Sequence, residues 1–252
     1  MGGKIDCYLD LASLYSYLTF LELQKNRDLL ASHNVEVEFH PVLLGAINAG
    51  SGNRPPWTLP AKASYGLFDA RRAIARHHPL SLAFPKNLMK SGMTVVPLRC
   101  LHYIKQHHPA TTFEAALHHL FHLFWAPPNR DLTTVESVAE ALGEVPAVGV
   151  FDYGSSRSQA APGDGKLLFT EGEVQGIIAA AGGEEMKTVL KRTTQEALDK
   201  GAFGAPWLWV TDGQGKAEPF FGSDRFHFVY GFLGLPYRGV TLLPVGGEKG
   251  KL

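Results

Sequence analysis

Asp10-Leu11-Ala12-Ser13-Leu14-Tyr15-Ser16-Tyr17-Leu18 is the stretch on which the fold turns. Upstream, Lys4 to Leu9 has the residue pattern of a strand. Downstream, Tyr15 to about Leu30 keeps the apolar spacing of an amphipathic helix. Ser13 therefore stands where a strand hands over to a helix. The first N–H groups of a helix have no intrahelical acceptor, and its dipole makes that end positive. Two roles suit a serine in such a place. Its hydroxyl can cap the helix, or it can donate to an anion held at the helix start. Ser13 and Ser16 are spaced as Ser-x-x-Ser, a pair that cannot form a disulfide. A hydroxyl there can still donate to a thiolate brought in by a ligand.

Working outward, Val35 to Val42 alternates as a second strand and ends near Pro41. Gly45 to Pro60 contains Gly50-Ser51-Gly52-Asn53-Arg54-Pro55-Pro56-Trp57 and is expected to be a long functional loop. Helical spacing follows over Lys62–His77, Thr94–His107, Thr111–Trp125 and Thr134–Leu142. Gly143 to Asp164 is rich in Gly, Ser, Ala and Pro and is expected to be a mobile surface insertion. Glu171–Ala181 and Glu184–Gly201 return to helical spacing. Trp207 to Thr211 is a third strand, Asp212-Gly213-Gln214-Gly215 a hairpin turn, and Glu218 to Phe221 the return strand. A last helix runs from Gly222-Ser223-Asp224-Arg225 through Leu233.

The bulk numbers exclude several classes. With 252 residues, 45% hydrophobic and 19% charged, the chain can bury a sizeable core in one or two domains. Net charge is zero, with no basic stripe, so no nucleic-acid partner is expected. No apolar run reaches the length of a membrane span. Cys7 and Cys100 form no close-spaced motif, which fits a reducing, intracellular compartment. The N-terminus has the pattern of neither a signal peptide nor an Arg-rich presequence. The last residues, Gly250-Lys251-Leu252, end like a peroxisomal address but carry Gly where that address has Ser. His118 and His122 lie one helical turn apart in His118-His119-Leu120-Phe121-His122, without the glutamate or third ligand of a metal site, and no metal is expected.

Two later segments bear on Ser13. Gly201-Ala202-Phe203-Gly204-Ala205-Pro206 leads into the third strand, where a proline belongs at a strand start. Pro206 is a candidate cis residue, which would leave the backbone of Ala205 free to pair with an extended ligand; a trans turn is the alternative. Gly222-Ser223-Asp224 opens the second helix start. Ser223 or Asp224 can cap it, or Ser223 can hold a carboxylate while Asp224 holds an ammonium. An α-amino-acid group, such as a γ-glutamyl terminus, presents both charges.

These stretches together resemble the kappa-class glutathione transferases. That class belongs to a group of thioredoxin-fold proteins that includes the bacterial disulfide oxidoreductases and 2-hydroxychromene-2-carboxylate isomerases. The matching residues are Asp10 to Tyr17, Ser51-Gly52-Asn53-Arg54-Pro55-Pro56, Leu59-Pro60-Ala61-Lys62, Gly201 to Pro206, and Phe221-Gly222-Ser223-Asp224-Arg225, in family order. The element order and this resemblance give an α/β chain with a thioredoxin-like fold and an inserted all-helical domain. The expected division is 1–60 with 185–252 as a discontinuous glutathione-binding domain, and 61–184 as the insertion.

The resemblance implies glutathione as co-substrate. Ser13, the catalytic candidate, matches the serine that hydrogen-bonds the glutathione sulfur. Ala205, before Pro206, would pair with the cysteinyl unit, Ser223 and Asp224 would hold the γ-glutamyl end, and Asn53 and Lys62 lie near the glycyl end. Tyr15, Tyr65 and Trp57 are candidate lining residues, and Tyr15 is placed in the glutathione site. The family's proline after the serine is Leu14 here, which keeps an N–H at the helix start. The implied reaction is thiolate attack on an electrophile or peroxide, in a homodimer of peroxisome, mitochondrion or cytoplasm. A glutathione-dependent isomerase of the same fold and a non-catalytic binding module are the alternative readings.

Overall fold

The computed structural model describes residues 2–77, 81–147 and 166–239. Its sheet comprises β1 (Gly3–Leu9), β2 (Val35–Pro41), β3 (Trp207–Asp212) and β4 (Ala217–Phe221). The order is β2-β1-β3-β4, with β1 parallel to β2 and antiparallel to β3, and β3 antiparallel to β4. Cys7 sits opposite Phe39 on one side and Leu208 on the other, so these apolar residues share a face. Pro219 is accommodated because β4 is an edge strand.

Eleven helices are described: α1 (Leu14–Lys25), α2 (Arg27–Ser32), α3 (Leu44–Ser51), α4 (Pro60–Ala75), α5 (Leu88–Ser91), α6 (Val95–His107), α7 (Ala110–Trp125), α8 (Val135–Gly143), α9 (Glu171–Gly182), α10 (Glu184–Asp199) and α11 (Phe226–Phe232). One face of the sheet, with Ile5, Cys7, Leu9 and Phe39, joins α1 and α6 to α9 in a single hydrophobic cluster. The opposite face carries a smaller cluster, in which Tyr8 and Trp207 pack with Ile47 of α3 and Ala197 of α10.

The structure changes three sequence expectations. Gly45 to Pro60 is not one long loop: it contains α3 and a short 3-10 turn, Pro56–Thr58. Its glycines do not break the helix. A Cβ on Gly50 would lie 2.7 Å from Leu198 Cδ1, so glycine is what lets α3 approach α10. Gly52, at φ +73°, ends that helix in the left-handed conformation. The expected helix Tyr15 to Leu30 is two helices divided at Asn26. Its side chain bonds back to the carbonyl and carboxylate of Glu22, in competition with a continuing ladder. The last helix begins at Phe226, three residues after Ser223.

The expected insertion at 143–164 lies mostly outside the described residues, as do the C-terminal tripeptide and His78. Its neck is described: Pro146 and Leu167 form an antiparallel bridge, with Ala147 N donating to Lys166 O at 2.9 Å and Leu168 N to Val145 O at 2.7 Å.

Candidate active site

Ser13 is the N-cap of α1, in extended backbone conformation, and its Oγ accepts from Ser16 N at 3.1 Å. The capping role is therefore real. The same hydroxyl donates to Ala205 O at 2.8 Å, across 192 residues of chain. Only 7% of Ser13 is exposed. The Ala205–Pro206 peptide is cis. The sequence reading expected both backbone groups of Ala205 to be free. The carbonyl is instead taken by Ser13, while the N–H makes no hydrogen bond among the described residues. A bound anion at Ser13 has to take the hydroxyl proton from Ala205. Ser16, fully buried, turns inward, where its Oγ accepts from Asp10 N at 3.4 Å.

Tyr15 lies half-buried two residues along, and its hydroxyl donates to Asp69 Oδ2 of α4 at 2.8 Å. Burial pushes the Tyr15 hydroxyl up, and the charges of Asp69 and Asp224 push the same way. Asp69 is thus a neighbour of the site that the sequence reading placed only on a helix face. Asn53 ties two loops together, donating from Nδ2 to Phe203 O at 2.6 Å. Its Oδ1 accepts from Arg54 N at 2.8 Å. Phe203 in turn packs on Phe221, with ring centroids 4.6 Å apart. Phe221 closes over Gly204, where a Cβ would meet its ring at 2.9 Å. Phe203, Phe221 and Gly204 thus pack together, joining two of the stretches that carry the resemblance.

Lys62 is exposed in the first turn of α4 and makes no ion pair among the described residues. Trp57 and Tyr65 are 43% and 59% exposed; Trp57 donates from Nε1 to the Met89 sulfur at 3.4 Å. They form surface beside the site rather than the wall of a closed pocket.

The second helix start corrects another expectation. Neither Ser223 nor Asp224 caps α11; its N-cap is Arg225, with no side-chain bond. The cause is Gly222 at φ +96°, which turns the chain so that a further three residues pass before helical bonding begins. Ser223 makes no hydrogen bond among the described residues, and Asp224 pairs with its neighbour Arg225 at the surface. Asp224 also borders a cavity of about 340 Å³ with Glu22, Arg76, His227 and Tyr230. That cavity lies by the far end of α1, away from Ser13.

The remaining polar clusters have structural explanations. Asp6, Glu38 and His40 bring ligand-type atoms within 4.8 Å of one another. Lys4 lies 2.9 Å from Asp6 and 2.6 Å from Glu38, and Lys105 lies 2.7 Å from Glu38, so ammonium groups already neutralise the carboxylates. Burial pushes the His118 imidazole down to about 3, and the ring packs against Tyr17 and Phe20. Cys7 and Cys100 are buried free thiols, both pushed up by desolvation, Cys100 to about 12, which makes them poor nucleophiles.

Residues 4–150 match the DSBA-like thioredoxin domain. The chain belongs to that family. Over nearly its whole length it is also similar to proteins named glutathione S-transferase kappa. It is 28% identical to human Glutathione S-transferase kappa 1 over 93% of this chain and 92% of the relative. It is 28% identical to Glutathione S-transferase kappa 1 of Caenorhabditis elegans over 99% of this chain and 98% of the relative. Among solved structures, a 2-hydroxychromene-2-carboxylate isomerase superposes with a TM-score of 0.63 at 18% identity, covering 92% of this chain and 94% of that one. That likeness is one of fold. No described helix is long and apolar enough to cross a membrane.

Proposed function

We propose that the protein is a glutathione transferase of the kappa type, in which Ser13 stabilises the glutathione thiolate. The observation that carries this reading is the 2.8 Å bond from Ser13 Oγ to Ala205 O at the N-terminus of α1. It holds a hydroxyl proton, a helix start and an unpartnered Ala205 N–H within one small region. The full-length similarity to kappa-class transferases supports it.

A free thiol has a pKa of about 8.5 and is mostly protonated at neutral pH. Binding at Ser13 replaces the Ala205 carbonyl as acceptor of the hydroxyl proton. The helix dipole favours the same charge. Together they lower the thiol pKa by about two units, worth roughly 2.7 kcal/mol between protonation states. The thiol proton leaves to solvent. The sulfur then forms a bond to an electrophilic carbon as the leaving group departs, or to a peroxide oxygen as the O–O bond breaks. Ala205 N–H donates to the cysteinyl carbonyl. Ser223 and Asp224 receive the γ-glutamyl carboxylate and ammonium. Lys62 and Asn53 serve the glycyl end, and Tyr15 lines the site through its bond to Asp69. The division at residues 61 and 184 and a homodimeric state belong to the same reading, as does an organelle or cytoplasmic setting.

An ultraviolet difference titration of glutathione at the thiolate band, from pH 5 to 9, tests the proposal. The expected result is a bound-thiol pKa well below the free value in wild type. Absence of a saturable band would overturn it. Given a band, conversion of a chromene-type substrate with glutathione returned unchanged would select the isomerase reading, which the isomerase-like fold supports.

A further inference from the structure

Asp10 is completely buried, yet among the described residues no cationic side chain pairs with it. Its carboxylate is instead held by donors from three segments. Oδ1 accepts from Ala12 N at 3.0 Å and from Thr94 Oγ1 at 2.7 Å; Oδ2 accepts from Leu44 N at 2.7 Å. These donors stand at three helix starts. Ala12 precedes the cap of α1, Leu44 is the first residue of α3, and Thr94 is the N-cap of α6.

The donors are committed to Asp10 at the expense of ordinary capping. Thr94 occupies an N-cap position where threonine usually bonds its own helix. Here its side chain makes no cap bond, and its hydroxyl donates to Asp10. Helix α3 has Leu43 at its N-cap, which has no side-chain acceptor, and Asp10 serves its first N–H from outside. The backbone of Asp10 is engaged as well: its carbonyl accepts from Ser13 N at 3.0 Å, and its N–H donates to Ser16 Oγ. Trp125 Nε1 fixes the intervening Leu11 carbonyl at 2.8 Å.

We propose that ionised Asp10 is the positioning residue of the Ser13 site, drawing three helix starts together so that the Ser13 hydroxyl is presented to its acceptor. This deepens the proposed function and rests on it only for the role of glutathione. Burial pushes the Asp10 carboxyl up to about 6, against the lowering effect of its three hydrogen bonds. Of the ionisable groups on the packed elements, Tyr15 bonds Asp69, Tyr8 bonds Glu196, His102 bonds Pro41 O, Lys105 bonds Glu38, and Lys4 pairs with Asp6 and Glu38; Cys7 and Cys100 are buried free thiols, and the Arg99 Nε of α6 is buried without a hydrogen-bond partner among the described residues. Helix α3 carries no ionisable side chain. Protonation of Asp10 loosens its grip on Leu44, Ala12 and Thr94, and the site loses its set geometry on the acid side.

The Ser16 amide is the reporter, since its N–H bonds Ser13 Oγ and not the Asp10 carboxylate. Its NMR shift is followed in the ligand-free protein from pH 5 to 8, in wild type, Asp10→Asn and Thr94→Val. The expected wild-type titration has its midpoint at about 6. Thr94→Val removes one donor at nearly constant volume and should move the midpoint upward by about half a unit or more. Asp10→Asn should abolish it. A flat wild-type shift, an unmoved midpoint in Thr94→Val, or a titration surviving in Asp10→Asn overturns the proposal. Glutathione is then added to wild type and Thr94→Val at about pH 6.5, where the thiolate band should fall about twofold in the variant. A stronger band would mean that the charge of Asp10, rather than its grip, acts on the site, and positioning is overturned. Absence of any band in wild type removes the glutathione reading while the Ser16 titration stands.

Discussion

The two helix starts of the proposed site are built in opposite ways. At α1, Ser13 and Ser16 are buried, and Asp10, beneath them, has donors to both carboxylate oxygens. At α11, Ser223 is only half-buried, Asp224 is exposed, and the cap makes no side-chain bond. The first start is preorganised: its groups are held before a ligand arrives, and little ordering entropy remains to be lost on binding. The second is solvated and must order its groups at the moment of contact. The first start should therefore govern chemistry at sulfur and the second affinity.

The comparison can be broken most severely with acid. His102 bonds Pro41 O at 2.8 Å behind the first start, and burial pushes its imidazole down to about 4. The unfolded chain takes up that proton at about pH 6.5, so this stability is complete above 6.5 and is lost as pH falls toward 4. The cost at pH 4 is about 3 kcal/mol for His102. His118 and His119 act in the same direction, whereas Asp10, pushed up, opposes them as it protonates below about 6. Thermal melts should drop steeply between pH 6.5 and 4; a flat profile would show that these imidazoles are not buried neutral.

Ser13→Ala comes next. It should raise the bound-thiol pKa by about one to one and a half units, roughly ten- to thirtyfold in the thiolate equilibrium, the helix dipole keeping the rest of the lowering, with glutathione affinity little changed. An unchanged thiol pKa in the ultraviolet titration removes Ser13 from its role. Asp224→Ala should do the reverse. Calorimetry is expected to show affinity weakened about tenfold, or 1.4 kcal/mol, with the thiol pKa nearly fixed. Wild-type affinity would take Asp224 out of the site. Tyr15→Phe has the smallest expected effect. Loss of the bond to Asp69 should cost about 1 kcal/mol and lower Tm by about 2–4 °C. A large loss of thiolate in this variant would transfer part of Ser13's role to the phenol and blur the contrast.

Much of this was legible along the chain. The strand before Ser13, the cap at Ser13 and the hairpin at Asp212 each rest on local chemistry that a few neighbouring residues display, whereas the cis candidate at Pro206 came from the order of elements around it. The second start was harder to read, because Ser223 and Asp224 have the residue types of a cap and only the turn at Gly222 shows that they are not one. Gly50 misled in the same way: as a sequence symbol it marks a loop, but it lies within a helix because Leu198 leaves no room for a Cβ. Asn53 was read from the resemblance as a ligand-side residue, yet its bond to Phe203 O ties two loops together. Asp69 carries no signal beyond its place on a helix face, and its meeting with Tyr15 spans 54 residues.

The sequence by itself determined the order of the four strands and of most helices, the serine at the first helix start and the apolar faces that pack on the sheet. These follow from periodicity, capping chemistry and hydrophobic burial, all of which act over a few residues. Only the tertiary structure decided what the serine touches. The bond from Ser13 to Ala205 joins residues 192 apart, and the bond from Thr94 to Asp10 joins residues 84 apart. Such contacts leave no local trace, because a hydroxyl or a carboxylate looks the same in sequence whatever it faces. Packing the helices on the larger apolar cluster of the sheet brings Asp10 among three helix starts, where its charge has three hydrogen bonds and, among the described residues, no counter-ion.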